Sequence, residues 1–275
     1  MKPSPISVVI RTFNSAKTLD ALLDRLDPEE GDEIVIVDSG SADATLVIAQ
    51  KHGADIIHAT GPFNYSRSLN LGFQAAGNDW VLVISSHCIP LHDNLLATLR
   101  KEIALFPEDV VVGYGVSTLS GKSDPDLDAQ KTTFYDKDGY PAVGRVCGNG
   151  NAIYRRTAWE MLPFDEKVRT AEDKIWIKAI LDLHYRFAYI PTALGVNRNQ
   201  QSLKYMFMKG YSDARATRGP DHHPMPLWHL AGALKALAKP FVKGEIDFGN
   251  WARYSAHTFG QFFGSRQKED NTPWN

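Results

Sequence analysis

The sequence predicts an α/β fold, a mostly parallel sheet flanked by helices, and three observations carry that prediction. Short, continuously apolar, β-branched runs recur through the N-terminal part of the chain. Each is followed by a segment whose apolar residues return at three- and four-residue spacing. The joints between them fall on Gly, Asn, Asp and Ser. A strand that is apolar throughout is covered on both faces, and parallel strands need helical crossovers of this length.

The elements follow in order. "ISVVI" (Ile6 to Ile10) is the first strand, and "NSAKTLDALLDRL" the first helix, with Leu19, Leu22, Leu23 and Leu26 on one side and caps expected at Asn14 and Ser15. "EIVIV" (Glu33 to Val37) repeats the strand signal; "DSGSAD" is a turn and cap, "ATLVIAQKHG" a helix closed by Gly53, and "ADIIHA" a third strand. A helix over "YSRSLNLGFQAAG" leads into the strand "WVLVI", which ends in "SSHCIP". Further on, "AEDKIWIKAI" starts a helix with Ile175, Ile180 and Leu181 on its apolar side. The segment "SGKSDPDLDAQKTTFYDKDGYP" is polar and without periodicity, and reads as a loop. No internal repeat or low-complexity stretch interrupts the series.

Composition narrows the function classes. At 275 residues, 43% hydrophobic and 23% charged, the chain can bury a large core. No apolar run approaches the ~20 residues of a membrane-spanning helix, and the N-terminus "MKPSPISVVIRTFN" lacks a signal-peptide pattern, so the expected location is the cytoplasm. Cys88 and Cys147 stand far apart in no metal-ligand spacing and read as buried small hydrophobes. The net charge of −2 hides an uneven distribution, 10 Lys+Arg against 6 Asp+Glu from Ser202 onward. That excess is too small, and too poor in interleaved aromatics, to indicate nucleic acid as a partner.

In sheets of this kind ligands bind beyond the carboxyl ends of the strands. The first strand ends at "RTFN" (Arg11 to Asn14), the second at "DSGS" (Asp38 to Ser41) and the fourth at "SSHC" (Ser85 to Cys88), so these polar clusters should meet on one rim. No G-x-G-x-x-G follows the first strand and no P-loop is present, which removes the common dinucleotide and mononucleotide signatures. A carboxylate after the second strand, a candidate metal ligand after the fourth, and Arg67 and Asn70 on the helix between suit a nucleotide diphosphate carrying another group.

At this point the sequence resembles the family 2 glycosyltransferases, inverting enzymes of the GT-A fold that move a sugar from a nucleotide diphosphate to an acceptor. The stretches that carry the likeness are "SVVIRTFNSAKTLDALLDRL", "DEIVIVDSGSADAT", "FNYSRSLNLGFQAAGNDWVLVISSHCIP", "CGNGNAIYRRTAWEML" and "AEDKIWIKAI", in the family's order and covering roughly residues 5 to 215. The closest flavour is the rhamnosyltransferase-like branch of polysaccharide biosynthesis. The resemblance implies that Thr12 and Asn14 line the nucleotide pocket, that Asp38 hydrogen-bonds the base with Ser39 beside it, and that Arg67 and Asn70 face the nucleotide and its diphosphate. Where the family carries Asp-x-Asp to hold a divalent cation, this chain has Ser85, Ser86 and His87. An imidazole can bind manganese-class metals, so His87 is the candidate ligand for Mn2+ or, less favourably, Mg2+. Ser85 cannot supply the lost carboxylate.

The likeness further implies that Asp173 accepts the proton of the acceptor hydroxyl, with Glu172 in support. A bland reading stands beside it, since acids at a helix N-terminus also complement the helix dipole. Trp176 packs either on a sugar face or in the core. "VCGNGNAIYRR" is expected to form the wall beneath the acceptor, and the polar segment before it a loop over the pocket. The implied partners are a UDP- or dTDP-linked sugar donor and a glycan or lipid-linked acceptor. The alternative is a non-catalytic relative that binds nucleotide or glycan, motivated by Ser85.

Two regions follow from the same reading, a GT-A domain over 1–218 and a helical extension over 219–275. The extension opens with "GPDHHPMP", where adjacent His222 and His223 do not make a metal pair. It continues with Leu227, Leu230, Leu234, Leu237 and Phe241 on one side of a helix and Lys235, Lys239 and Lys243 on another. That stretch, 227–244, is expected either to pack on the domain or to lie on the inner face of the cytoplasmic membrane.

Overall fold

A computed structural model describes residues 4–118, 131–140, 147–168, 170–197, 203–216 and 248–264. The chain divides into two compact units, Met1–Asn199 and Gln200–Asn275.

The first unit is built on β1 (Ile6–Thr12), α1 (Ala16–Asp24), β2 (Glu33–Asp38), α2 (Thr45–Lys51), β3 (Asp55–His58), α3 (Tyr65–Ala75) and β4 (Trp80–Ser85), as the patterning predicts. It continues with β5 (Cys88–Pro90), α4 (Leu95–Ile103), β6 (Val110–Thr118), β7 (Thr133–Tyr135), β8 (Asn151–Arg155), α5 (Arg156–Met161), α6 (Glu172–Asp182) and β9 (Arg186–Asn197). The strands form one nine-stranded sheet in the order β3-β2-β1-β4-β8-β6-β9-β5, with β7 also paired to β9. β1, β2, β3 and β4 are mutually parallel, and β8 runs antiparallel between β4 and β6.

Alternation along β1 shows why its apolar run is continuous. Ile6, Val8 and Ile10 join one core with α1, α2 and α4, whereas Val9 joins a second core with α3, α5 and α6. Successive side chains leave a strand on opposite faces, so a two-sided sheet needs every residue apolar. α1 buries Leu19, Leu22 and Leu23, each stabilising by roughly 1.5–3 kcal/mol. On the other face Phe73 stacks on Trp159 and meets Tyr154 and Phe164 edge-on or tilted.

Two details differ from the sequence reading, and a third decides between alternatives it leaves open. Neither Asn14 nor Ser15 caps α1 with its side chain: Asn14 Oδ1 accepts from the Ala42 N–H at 2.9 Å, and Ser15 Oγ meets Ser86 Oγ at 2.9 Å. Inside the segment expected as a loop, Thr133–Tyr135 is a strand antiparallel to Phe187–Tyr189; residues 120–130 and 141 of that segment lie outside the described residues. Trp176 is core, 3% exposed, and its Nε1–H donates to the Leu162 carbonyl at 2.6 Å.

The second unit contains α7 (Leu203–Ala216) and α8 (Phe248–Gly264), which pack against each other. Gly210 and Gly260 sit where the helices cross, and a Cβ on either would strike the opposing backbone at His257 or Phe207. α7 falls within this unit. His222, His223 and the stretch 227–244 lie outside the described residues. Among the described residues, no helix is long and apolar enough to cross a membrane.

Gly72 of α3 rests on β1, and a Cβ there would fall on Val9 Cγ1. Alanine is the better helix former by about 1 kcal/mol. Gly72→Ala is nevertheless expected to destabilise by about 1–3 kcal/mol, because overpacking must lift the helix. A lower urea midpoint would show this, and an unchanged or higher one would mean α3 has room to move.

Candidate active site

The strand register brings the polar clusters to one rim. Thr12 stands beside Asp38, Arg11 beside Ser85, and Ile84 beside Asn151, so the carboxyl ends of β2, β1 and β4 adjoin the amino end of β8. From β1 the chain crosses to β2 on one side, while β4 lies on the other. The gap between β1 and β4 is therefore the switch point at which open α/β sheets bind ligands.

Asp38 organises the β2 side. It is 1% exposed; its Oδ1 accepts from Thr12 Oγ1 at 2.8 Å and Ser41 Oγ at 2.5 Å, and its Oδ2 accepts from the Gly40 N–H at 2.9 Å and the Ser41 N–H at 2.8 Å. Burial alone would raise its pKa, but the bonds from Ser41, Thr12 and Gly40 outweigh it and hold the carboxyl below the usual range. Four donors fill the acceptor positions of a carboxylate, so Asp38 is engaged by the protein rather than left open toward a base. Asn14, exposed and at φ 50°, ties the two loops together: its N–H donates to Ser41 Oγ at 2.8 Å, and Ala42 donates to its side chain. Ser39 donates its N–H to the Thr12 carbonyl, and its buried Oγ has no hydrogen-bond partner.

At the β4 end, the Ser85 N–H donates to the Gly150 carbonyl at 3.1 Å, and Ser85 Oγ lies 3.2 Å from His87 Nε2. Ser86 is buried against Ser15. Burial and then the charge of Arg11 hold the His87 imidazole below its ordinary value of 6.5, so it is neutral at pH 7. Arg11 reaches across the rim: Nη1 donates to Glu172 Oε1 at 3.5 Å and the guanidinium lies 5.0 Å from the Tyr65 ring centroid.

The acidic pair arrives from the other half of the chain. Ala171 precedes α6 in the left-handed region at φ 60°, a conformation that costs a non-glycine residue about 1–2 kcal/mol. Glu172, 7% exposed, accepts from Arg11 and from Asn149 Nδ2 at 3.2 Å. Asp173 accepts from the Asn149 N–H at 3.2 Å. Tyr154 completes the group by donating its hydroxyl to Asn149 Oδ1 at 2.5 Å. Burial, reinforced by the charge of Asp173, pushes the Cys147 thiol up to about 12, which keeps it protonated and inert.

Thr12, Asn14, Asp38, Ser39, Ser85, Ser86, His87, Glu172 and Asp173 thus share one rim. Asn70 does not face it with a spare donor. Its Nδ2 donates to the Phe164 carbonyl at 2.9 Å and to Glu166 Oε1 at 3.0 Å, while its Oδ1 accepts from Trp159 Nε1 and the Phe164 N–H. It braces the loop after α5. Arg67 folds back on its own loop, donating to the Pro62 carbonyl, with a buried Nε that has no hydrogen-bond partner. The sequence places Arg11 in the polar cluster that ends the first strand, and Asn149 and Tyr154 in the segment expected to wall the acceptor, without giving any of the three an individual role. A charged residue directly after the apolar run Ile6 to Ile10 is the signal for Arg11. Asn149, between two glycines, carries none of its own.

The donor set at the β4 end of this rim does not fit a hard divalent cation. Mg2+ and Mn2+ favour carboxylate and water oxygens. Here the β4 end presents one imidazole and a serine hydroxyl 3.2 Å from it, beside a guanidinium, and the carboxylate of Glu172 is already joined to that guanidinium. The His/Asp/Glu grouping dense enough for a metal, among the described residues, is Asp20, Asp24 and His52. It sits toward the ends of α1 and α2, and both helices start at the rim and run away from it. Lys51 Nζ at 3.0 Å and His52 Nε2 at 2.9 Å already occupy Asp20 Oδ1.

A mixed sheet, mostly parallel in its centre, covered by helices on both faces and carrying polar side chains along its carboxyl edge, is the GT-A arrangement of nucleotide-sugar transferases. Residues 7–162 match the family described as glycosyl transferase family 2, and the chain belongs to that family. Among solved structures, the mannosyltransferase PcManGT of Pyrobaculum calidifontis, in complex with GDP-Man and Mn2+, is 16% identical with a TM-score of 0.63 over 94% of this chain and 87% of its own. Glucosyl-3-phosphoglycerate synthase of Mycobacterium tuberculosis, in complex with Mn2+, UDP-glucose and phosphoglyceric acid, is 19% identical with a TM-score of 0.57 over 81% and 83%. The same synthase has been solved with Mg2+ and UDP. At these identities the likeness is one of fold. A TPR repeat-containing protein of Synechococcus elongatus is 34% identical over 58 residues, 21% of this chain and 14% of that protein's length.

Two predictions follow from the geometry. Asp38→Asn replaces acceptors by an amide that confronts N–H donors, and is expected to cost about 2–4 kcal/mol in chemical denaturation. Because its folded-state pKa is depressed, Asp38 stabilises above the unfolded aspartate pKa, and that stability fades as pH falls through the folded value; the variant should show a shallower acid limb. NMR titration should place the His87 pKa below 6.5 and raise it partway in Arg11→Gln, since burial remains the larger cause. A pKa unmoved by that substitution would separate the two groups.

Proposed function

We propose that this chain transfers a sugar, with inversion, from a UDP- or dTDP-linked donor to a hydroxyl of a glycan or lipid-linked acceptor in cell-surface polysaccharide biosynthesis. The rhamnosyltransferase-like branch of the family is the reading its motifs support, and the cytoplasmic side, with membrane contact through 227–244, the location proposed. One observation carries the reading. The acidic pair Glu172–Asp173 joins the carboxyl end of β1 through Arg11 and the amino end of β8 through Asn149, although 161 positions separate Arg11 from Glu172.

The nucleotide occupies the β2 and β1 ends, where Thr12, Asn14 and Ser39 line its pocket and Asp38 holds the loops that shape it. The unpartnered Ser39 hydroxyl is a contact for the nucleoside. The donor's diphosphate then lies toward Ser85 and His87. Asp173 removes the proton of the acceptor hydroxyl as its oxygen attacks the anomeric carbon opposite the diphosphate; the carbon–oxygen bond to phosphate breaks and the diphosphate leaves with the electron pair. Glu172 balances Arg11 so that Asp173 keeps its charge for the proton. No step is drawn through the Mn2+ or Mg2+ of the structural neighbours, because the rim's donors do not suit one.

A second reading, a binding-only relative, is favoured by the absence of a carboxylate at Ser85. A product assay over UDP- and dTDP-sugars separates the two. In the transferase, Asp173→Asn should lower turnover about 10²–10⁴-fold while nucleotide affinity stays within about twofold. Undiminished turnover would remove Asp173 as the base, and tight nucleotide binding without turnover in the unsubstituted protein would favour the binding-only relative.

A further inference from the structure

We propose that the guanidinium of Arg11 is the fixed cation that receives the donor's diphosphate, standing where a divalent metal ion would otherwise be needed. The inference rests on the sugar-transfer reading and names the group that makes its donor site work.

Position is the first argument. Arg11 lies at the carboxyl end of β1 directly beside Ser85, at the β1/β4 switch point. A phosphate entering there meets its side chain together with the Ser85 hydroxyl and the His87 ring, both able to hydrogen-bond phosphate oxygens.

Pre-organisation is the second. Glu172 on one side and the Tyr65 ring on another hold the guanidinium, whose side chain is 16% exposed. Among the described residues it donates to Glu172 alone, through Nη1. Of the five N–H donors of an arginine, most thus remain for a ligand, in the planar fork that grips phosphate at two oxygens. The bond to Glu172 spans 3.5 Å, well beyond the ~2.7–2.9 Å of a tight charged pair. Glu172 therefore neutralises Arg11 without locking it, and the guanidinium can turn to phosphate at little cost.

Chemistry supplies the third. The departing diphosphate gains charge as the glycosidic bond breaks, and a positive group held in a partly desolvated rim stabilises that charge more than the ground state. Arg67, the other candidate for this work, is turned toward Pro62.

Calorimetric titration of the full chain with UDP, dTDP, uridine and thymidine, in EDTA and then in manganese, tests the proposal. The diphosphate that binds should do so equally in EDTA and manganese. Arg11→Gln should weaken it at least about tenfold, leave the matching nucleoside unaffected, and be partly rescued by Arg11→Lys. Arg11→Gln/Glu172→Gln, which avoids an unpaired buried carboxylate, should show the same selective loss with an unchanged melting temperature. Diphosphate binding that needs manganese, or that survives in both Arg11 variants, overturns the role of Arg11 and leaves sugar transfer standing. Failure of every diphosphate to bind the unsubstituted protein, with or without metal, overturns sugar transfer itself.

Discussion

A guanidinium held at the edge of a sheet must be neutralised, and the way this chain neutralises Arg11 arranges the rest of its site. The acid it meets, Glu172, comes from the far half of the sequence, and the contact brings the N-terminus of α6 to the ends of β1 and β4. Asn149 then bridges Glu172 and Asp173 with two separate donors while taking the Tyr154 hydroxyl on its oxygen. Remove the ion pair and each charge keeps its desolvation cost without the opposite charge that offsets it, Glu172 retaining only Asn149, and Arg11 the Tyr65 ring, among the described residues.

Asp38 shows the same constraint in another form. A carboxylate that is 1% exposed remains ionised only where hydrogen bonds repay its lost hydration, and here they come from Thr12, Gly40 and Ser41. Those bonds fix the β2–α2 loop, and Asn14 and Ser15 fasten the β1–α1 loop to it through Ser41, Ala42 and Thr45. The β1–α1 and β2–α2 loops thus form one hydrogen-bonded pair, and Asp38, suggested by sequence as a ligand contact, serves first to hold that pair together. Asn70 illustrates the other outcome, a polar side chain on an expected position whose hydrogen bonds go to Trp159 of α5 and to the loop that follows it.

Much of the architecture was legible because hydrophobic periodicity is a local property. Each apolar run of the N-terminal half became a strand and each leucine stripe a helix, with the two faces of the sheet sorted by alternation. The short strand β7 was not, since Thr133–Tyr135 has no pattern of its own and is held only by pairing with β9. Trp176 was ambiguous for a related reason: an aromatic at helical spacing suits both a core and a sugar face, and only the packing of Phe164 and Tyr154 around it decides.

Local patterning is enough to give the α/β layering, the rim on which polar strand ends meet, the acidic pair at the start of α6 and the family to which these motifs belong. Which side chains on that rim keep spare hydrogen-bonding capacity depends on the tertiary structure. Hydrogen-bond capacity is finite, and whether it is spent inside the protein depends on neighbours distant in the chain: Asp38 and Asn70 spend theirs on adjacent elements and Arg67 is turned toward Pro62, whereas Arg11, at the end of an apolar strand, keeps donors at the switch point. No spacing rule encodes that partition, because it arises only once strands remote in sequence lie side by side.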